Sequence, residues 1–226
     1  MTENKNVQQK SVRRNRVAAA ACFAAALITA GVFGTQSATA AGAAHRTAAA
    51  RPAAVAAVAP GLGSARLVQS EDLLRKGLKP VGATVALTGR QALSACSGEE
   101  TMRDLTKGAA TAYASVNWTF DTDGMLTESA ASAPTGTAAA TWEKQLVALV
   151  QDCQDEPAGH WYYGAAHTLT TTGGTARWYP AHNGDGTVSG GVAVLRSGTR
   201  VAIVELTGAP AYVEGIATAA LNRLSS

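Results

Sequence analysis

The sequence predicts an α+β fold: an antiparallel sheet of about six strands with two main helices packed on one of its faces. Three observations carry this. Strand-length segments from Ala110 onward alternate apolar and polar residues. The separators Asp121-Thr122-Asp123-Gly124, Thr172-Gly173-Gly174, Asn183-Gly184-Asp185-Gly186 and Ser197-Gly198-Thr199 are tight-turn sequences, long enough to join antiparallel neighbours and too short for a parallel crossover. Two longer segments instead carry apolar residues at helical spacing.

In chain order, residues 1–40 read as a secretory signal peptide. The basic run Arg13-Arg14-Asn15-Arg16 precedes the apolar stretch Val17 to Phe33, and Ala38 and Ala40 are the small residues before a cut after Ala40. Cys22 follows only Val17–Ala21 of apolar chain, with Ala19 where a lipid-attachment motif has Leu. It reads as a small residue of the signal core. Retention as an anchor is the alternative to cleavage, although an Ala-rich run of this length is short for a membrane span. Residues 41–66 hold 12 Ala in 26 positions with Pro52 and Pro60 and no apolar period, the composition of a disordered linker. A single domain is expected over 67–226.

Within it, Ser70-Glu71-Asp72-Leu73-Leu74-Arg75-Lys76-Gly77 has an N-cap, acids first, bases last and a terminating Gly, which makes a short helix. Pro80 to Gly98 is expected to be loop with a short strand. Ala114, Val116, Trp118 and Phe120 alternate with Tyr113, Ser115, Asn117 and Thr119, giving a half-buried strand that turns at Asp121–Gly124 into Met125–Ala131. A helix over about 137–152 lines up Trp142, Leu146, Leu149, Val150 and Cys153. Strands are then expected over 160–171, 175–182, 188–196 and 200–206. A final helix after Gly208-Ala209-Pro210 aligns Val213, Ile216, Ala217, Ala220, Leu221 and Leu224.

Charge excludes some partners. The whole chain has 19 Lys and Arg against 16 acids, but the signal segment removes five bases and one acid. Beyond the linker, 11 bases face 15 acids, and no run of bases appears in that part of the sequence. No nucleic-acid partner and no stable membrane anchor after cleavage are expected. The expected partner is a small molecule or a cell-envelope component.

Cys96 and Cys153 are the two cysteines beyond the signal. In an exported domain they are expected to pair as a disulfide, closing a loop worth roughly 4 kcal/mol by chain entropy. Neither has a His nearby in sequence, as a catalytic thiol would want. Other motifs fall to plainer readings. Gly186-Thr187-Val188-Ser189-Gly190-Gly191 with His167 and Asp185 has the residue types of a serine-protease triad, but crowded onto adjacent hairpins. A Gly-Gly pair within a strand marks a bulge or close packing. Asp121-Thr122-Asp123-Gly124 starts like a calcium loop, yet Ser132 stands where the bidentate Glu belongs. His160, His167 and His182 lack zinc-ligand spacing. No catalytic residue, metal or cofactor is assigned.

The concentration of aromatics is more informative. Trp161, Tyr162, Tyr163, Trp178 and Tyr179 fall on consecutive strands, and one face of those strands could present rings beside Arg177. Trp161, Tyr163, Arg177 and Tyr179 are the candidate ligand-binding residues. Alternation places Trp161, Tyr163 and His167 on one face.

Three features together, Trp142-x-x-x-Leu146-x-x-x-Val150-x-x-Cys153, the strand Ala193-Val194-Leu195-Arg196-Ser197-Gly198-Thr199-Arg200-Val201 and the closing helix, resemble the actinobacterial sensor-domain proteins related to the PknH extracellular domain, over roughly residues 70–226. The resemblance implies an antiparallel sheet with helices on one side, disulfide bonds and a cleft for an unidentified extracytoplasmic ligand. One possible disulfide stands here where the kinase domain has two. The expectation is a secreted, extracellular or cell-wall-associated ligand-binding or sensor-like domain. The alternatives are a hydrolase with a dispersed site, for which Glu128 or Glu143 with a histidine is the first suspect, and a structural or inhibitory protein acting through its surface.

Overall fold

The computed structural model describes residues 61–226 except Ala95. The signal segment, its cleavage point and the linker to residue 60 lie outside the described residues. A 3-10 turn at Ser64–Arg66 leads into α1 (Ser70–Leu74), β1 (Pro80–Ala86), α2 (Met102–Leu105), β2 (Ala112–Phe120), β3 (Met125–Ser132) and α3 (Gly136–Gln151). Then follow β4 (Tyr162–Tyr163), β5 (His167–Thr171), β6 (Gly174–His182), β7 (Val188–Ser197), β8 (Arg200–Thr207) and α4 (Val213–Ser225).

The strands form one eight-stranded sheet, ordered β1-β2-β3-β8-β7-β6-β4, with β5 beside β4 along the outer edge of β6. Every pairing is antiparallel. Two strands exceed the expected six. β1 proves to be a full strand, and the segment over 160–171 divides into β4 and β5. The division falls at Gly164, where a β-carbon would lie 2.8 Å from His182 Nε2 and 2.9 Å from Pro180 Cγ. The break also resets the alternation. His167 faces the side of Tyr162 and stacks on Trp178 at 4.2 Å, whereas Tyr163 points to the opposite side.

The helices do not share a face, contrary to the expectation. Ala193, Leu195, Ala202, Val204 and Leu206 pack with Val213, Ile216, Ala220 and Leu221 of α4. Val192, Val194, Val201 and Ile203 pack with Trp142, Leu146, Val147 and Val150 of α3. The sheet is therefore a middle layer with a helix on each side. The physical reason is the composition of β7 and β8, whose centres Val192–Leu195 and Val201–Val204 are continuously apolar and buried on both faces. A one-sided sheet would have alternated there.

Order also begins earlier than composition suggests. Leu62 is 4 % exposed and joins Leu67, Val68 and Leu73 in the α4-side core, so residues 61–66 belong to the fold rather than to the linker. α1 is fixed by a reciprocal capping box between Gln69 and Asp72. The opposite side is closed by residues 87–106, from which Leu93, Met102 and Leu105 pack with α3. Cys96 and Cys153 are joined as a disulfide with their Cα atoms 6.1 Å apart, tying that covering segment to the end of α3.

Candidate functional site

On the α4 side, β2 and β3 present Ala114, Val116, Phe120, Leu126 and Ala130 to the core. On the α3 side the same strands present hydroxyls and an amide. Pairing aligns Thr84, Asn117, Thr127, Glu205, Val192 and Tyr179 as one row across the sheet. The adjoining row runs Ala86, Ser115, Ser129, Ile203, Val194 and Arg177. The α3-side face is thus apolar over β7 and β8 and polar over β2, β3 and the end of β8. Ser115, Thr127, Ser129 and Glu205 are all buried.

Burying such groups costs free energy unless hydrogen bonds replace water, and several bonds do so. Tyr163 Oη donates to Glu205 Oε1 at 2.6 Å. Asn117 Nδ2 donates to Gln91 Oε1 at 3.0 Å, and Ser115 Oγ donates to the Ala86 carbonyl at 3.3 Å. Burial, followed by the charge and hydrogen bond of Glu205, holds the Tyr163 phenol far above its ordinary range, while Ser94 acts in the opposite direction. Tyr163 is accordingly a fixed donor to Glu205. Gln91 and Ser94 both belong to the disulfide-tied segment, which therefore roofs the polar floor from Asn117 to Tyr163. The backbone N–H of Tyr163 donates to the carbonyl of Cys153 at 3.1 Å, joining β4 to the disulfide itself.

Satisfaction is incomplete. Asn117 Oδ1 and Ser129 Oγ are buried with no hydrogen-bond partner among the described residues. They are two positions apart in neighbouring strands, facing the same space. A native fold leaves few such atoms, and these two lie close together on one face of the sheet.

The four residues nominated from sequence lie on this side of the sheet, but not as a surface groove. Tyr163 and Tyr179 are each 1 % exposed and pack within the core beneath α3. Trp161 is half-buried against the same cluster and meets Tyr163 edge-on at 4.6 Å. Arg177 is exposed; its guanidinium opposes the upward push that burial gives the Tyr179 phenol. The Tyr179 ring meets apolar Val192 on β7 and so becomes core, while the polar residues sit further in, on β8, β3 and β2. Sequence reading missed Ser94, Asn117, Thr127, Ser129 and Glu205. The signal for Glu205 was present: a lone carboxylate in the apolar run Val201–Leu206. Ser115 and Asn117 look like an ordinary solvent face until the roof is known.

The carboxylates suspected of hydrolysis stand elsewhere. Glu128 is wholly buried on the α4 side, where its Oε2 accepts the Val68 N–H at 2.6 Å and its Oε1 has no partner among the described residues. Burial, and secondarily the charge of Asp72, raises it to about 8 despite that hydrogen bond. Glu143 accepts from Arg196 Nε at 2.6 Å. Neither is hydrogen-bonded to a histidine among the described residues; His160 instead pairs with Glu156 at 3.6 Å. No group of three His, Cys, Asp or Glu residues able to hold a metal occurs among the described residues.

Fold and site together define a class: a helix–sheet–helix domain whose antiparallel sheet carries a polar patch under a disulfide-tied cover. No protein-family model matches the chain, and no curated protein does. Among solved structures it is similar to the crystal structure of the extracellular domain of PknH from Mycobacterium tuberculosis, at a TM-score of 0.48 and 15% identity, over 71% of this chain and 93% of that one. This is a loose likeness of fold, not membership of a family.

Proposed function

We propose that the chain is an extracytoplasmic ligand-binding domain of sensor-like character, taking a small polar molecule between the floor of β2, β3 and β8 and the segment that Cys96 ties to Cys153. The observation that carries this reading is the pair of unpartnered buried atoms, Asn117 Oδ1 and Ser129 Oγ, on a face where Glu205 and Tyr163 are already engaged with each other. One offers an acceptor and the other both a donor and an acceptor, so a hydroxyl- or amide-bearing ligand suits them. Export is supported by the signal-like N-terminal sequence and by a disulfide, which persists in oxidising compartments.

The test is a panel of sugars, amino acids and soluble envelope fragments, read by thermal shift and by the fluorescence of Trp161 beside Tyr163. At least one compound should raise the melting temperature and change the emission. Ser129→Ala removes a hydroxyl that makes no bond, so the variant should fold with unchanged or higher stability yet bind that compound at least about tenfold more weakly, the loss of one good hydrogen bond to ligand. A panel without a single binder, or a variant that binds as well as the parent, would sink the assignment.

A further inference from the structure

The described chain contains 12 Lys and Arg residues, and the fold gathers five of them around α4 from four separate places in the sequence. Arg75 and Lys76 follow α1 and, with Arg223 on α4, line an open cleft of about 510 Å³ between the two helices. Arg200 Nη1 donates to the Leu224 carbonyl at 2.7 Å at the end of α4. Burial and then the nearby charge of Arg66 bring its guanidinium below the ordinary value. Cations at the last carbonyls of a helix are expected from its dipole, which accounts for Arg200 and Arg223.

The dipole does not account for Lys76. Its side chain lies against Gly215, in the first turn of α4, where the helix end is positive and repels an ammonium. A β-carbon at Gly215 would fall 2.9 Å from Lys76 Cε and 3.0 Å from Nζ, so glycine is what admits the side chain there. Lys76 has no carboxylate within 4.0 Å among the described residues. The two guanidiniums, by contrast, are anchored. Asp72, buried and held by the Gln69 N–H, pairs with Arg75 and accepts from Arg223 Nε at 2.9 Å and Nη2 at 3.4 Å. Asp72 is the single carboxylate side chain lining the cleft, against three cations. Each guanidinium keeps N–H groups that Asp72 does not use.

We propose that this cleft is a binding site for a phosphate group, as monoester or diester, with Lys76, Arg75 and Arg223 as its cationic walls. It lies on the face of the sheet opposite the polar floor and is independent of the ligand proposed there. A tetrahedral dianion or monoanion matches excess positive charge, two pre-oriented guanidiniums and one free ammonium. Sequence alone hides the site, because its bases come from segments more than a hundred residues apart.

Calorimetric titration of the protein with inorganic phosphate, against chloride at constant ionic strength, tests it directly. Saturable binding is expected, weakened at least tenfold by Lys76→Ala, an exposed position where the substitution leaves folding intact. Gly215→Ala separates site from scaffold. Alanine in a helix should hold or raise the melting temperature, while the new methyl displaces Lys76 and weakens phosphate several-fold. Sedimentation with phosphatidylcholine vesicles, with and without phosphatidylglycerol, identifies the source. Retention only on the anionic vesicles, lost in Lys76→Ala, assigns a lipid headgroup, and binding of free phosphate without vesicle retention assigns a soluble phosphate. Absence of both, or binding that survives Lys76→Ala unchanged, overturns the proposal.

Discussion

Glu128 occupies a position that its neighbours reserve for apolar side chains. It pairs in register with Val116 on one side and Val204 on the other, both in the α4-side core. One oxygen clips the backbone of Val68, and Trp118 Nε1 donates to the Val68 carbonyl at 3.1 Å from the same direction. The carboxyl therefore fastens the N-terminal segment to the sheet; the Val68 N–H favours its ionised form, but burial outweighs that bond and favours the protonated one. Its folded value of about 8 stands above the ordinary 4.5 of a solvated glutamate. Between these limits the native state keeps a proton that the unfolded chain has released. Unfolding free energy thus falls as pH rises through the window, by up to about 1.4 kcal/mol per unit. Below pH 4.5 the group contributes no slope, and above pH 8 the loss is complete. Glu128→Gln should abolish this part of the pH dependence, matching the parent near pH 4 and exceeding its stability by a few kcal/mol at pH 8. Urea denaturation at several pH values measures it. A wild-type stability that is flat from pH 5 to 8 would refute the buried, neutral carboxyl.

At the scale of elements, the Gly190-Gly191 pair in β7 shows how tightly the layers meet. A β-carbon at Gly190 would lie 2.1 Å from the Leu206 carbonyl oxygen, and one at Gly191 would lie 2.6 Å from that of Tyr179 and 2.8 Å from Val213 Cγ1. Gly190→Ala must shift backbone rather than a flexible side chain, so it should cost about 3 kcal/mol. Gly136→Ala, at the first position of α3 with open space around its β-carbon, should be neutral or stabilising. Thermal melts of the two variants make the comparison. From sequence a Gly-Gly pair within a strand reads as a bulge or close packing, and close packing is what these contacts are; both long helices are legible from their stripes to within a residue or two. What escaped was relational. The side of the sheet each helix covers depends on both faces of β7 and β8 at once. The break between β4 and β5 depends on His182 and Pro180 pressing against Gly164, contacts that no local period contains. The polar floor was illegible for the same reason. Asn117 loses its solvent face through its contact with Gln91, a residue distant in sequence, and Ser129 is buried in the assembled fold.

For the whole molecule, the disulfide decides which side is held most firmly. The α4 side is closed by continuous chain: residues 61–79 lie on the sheet through Leu62, Leu67, Val68 and Leu73, and Asp72 ties α1 to Arg223 of α4. The α3 side is closed by a segment with little regular structure, in which α2 spans only Met102–Leu105. Its attachments are the hydrogen bonds of Gln91 to Asn117 and of Thr106 Oγ1 to Tyr113 Oη at 2.7 Å, the packing of Leu93, Met102 and Leu105, and the bond from Cys96 to Cys153. With the two cysteines 57 positions apart in sequence, the cross-link restricts the unfolded chain by roughly 4 kcal/mol. The Cys96→Ser, Cys153→Ser double variant should lose about that much in urea denaturation, with a larger m-value because its unfolded state is less restrained. Native-state hydrogen exchange should locate the damage. Amides of residues 87–101 and 152–164 should lose protection first, while those of α4 and β8 follow the global stability. The same variant should still take up phosphate between α1 and α4 and should lose affinity for the ligand of the polar floor, since only the latter depends on the roof. Equal loss of protection on both sides of the sheet would show instead that the disulfide stabilises the domain as one unit and leaves the roof no separate motion with which to admit a ligand.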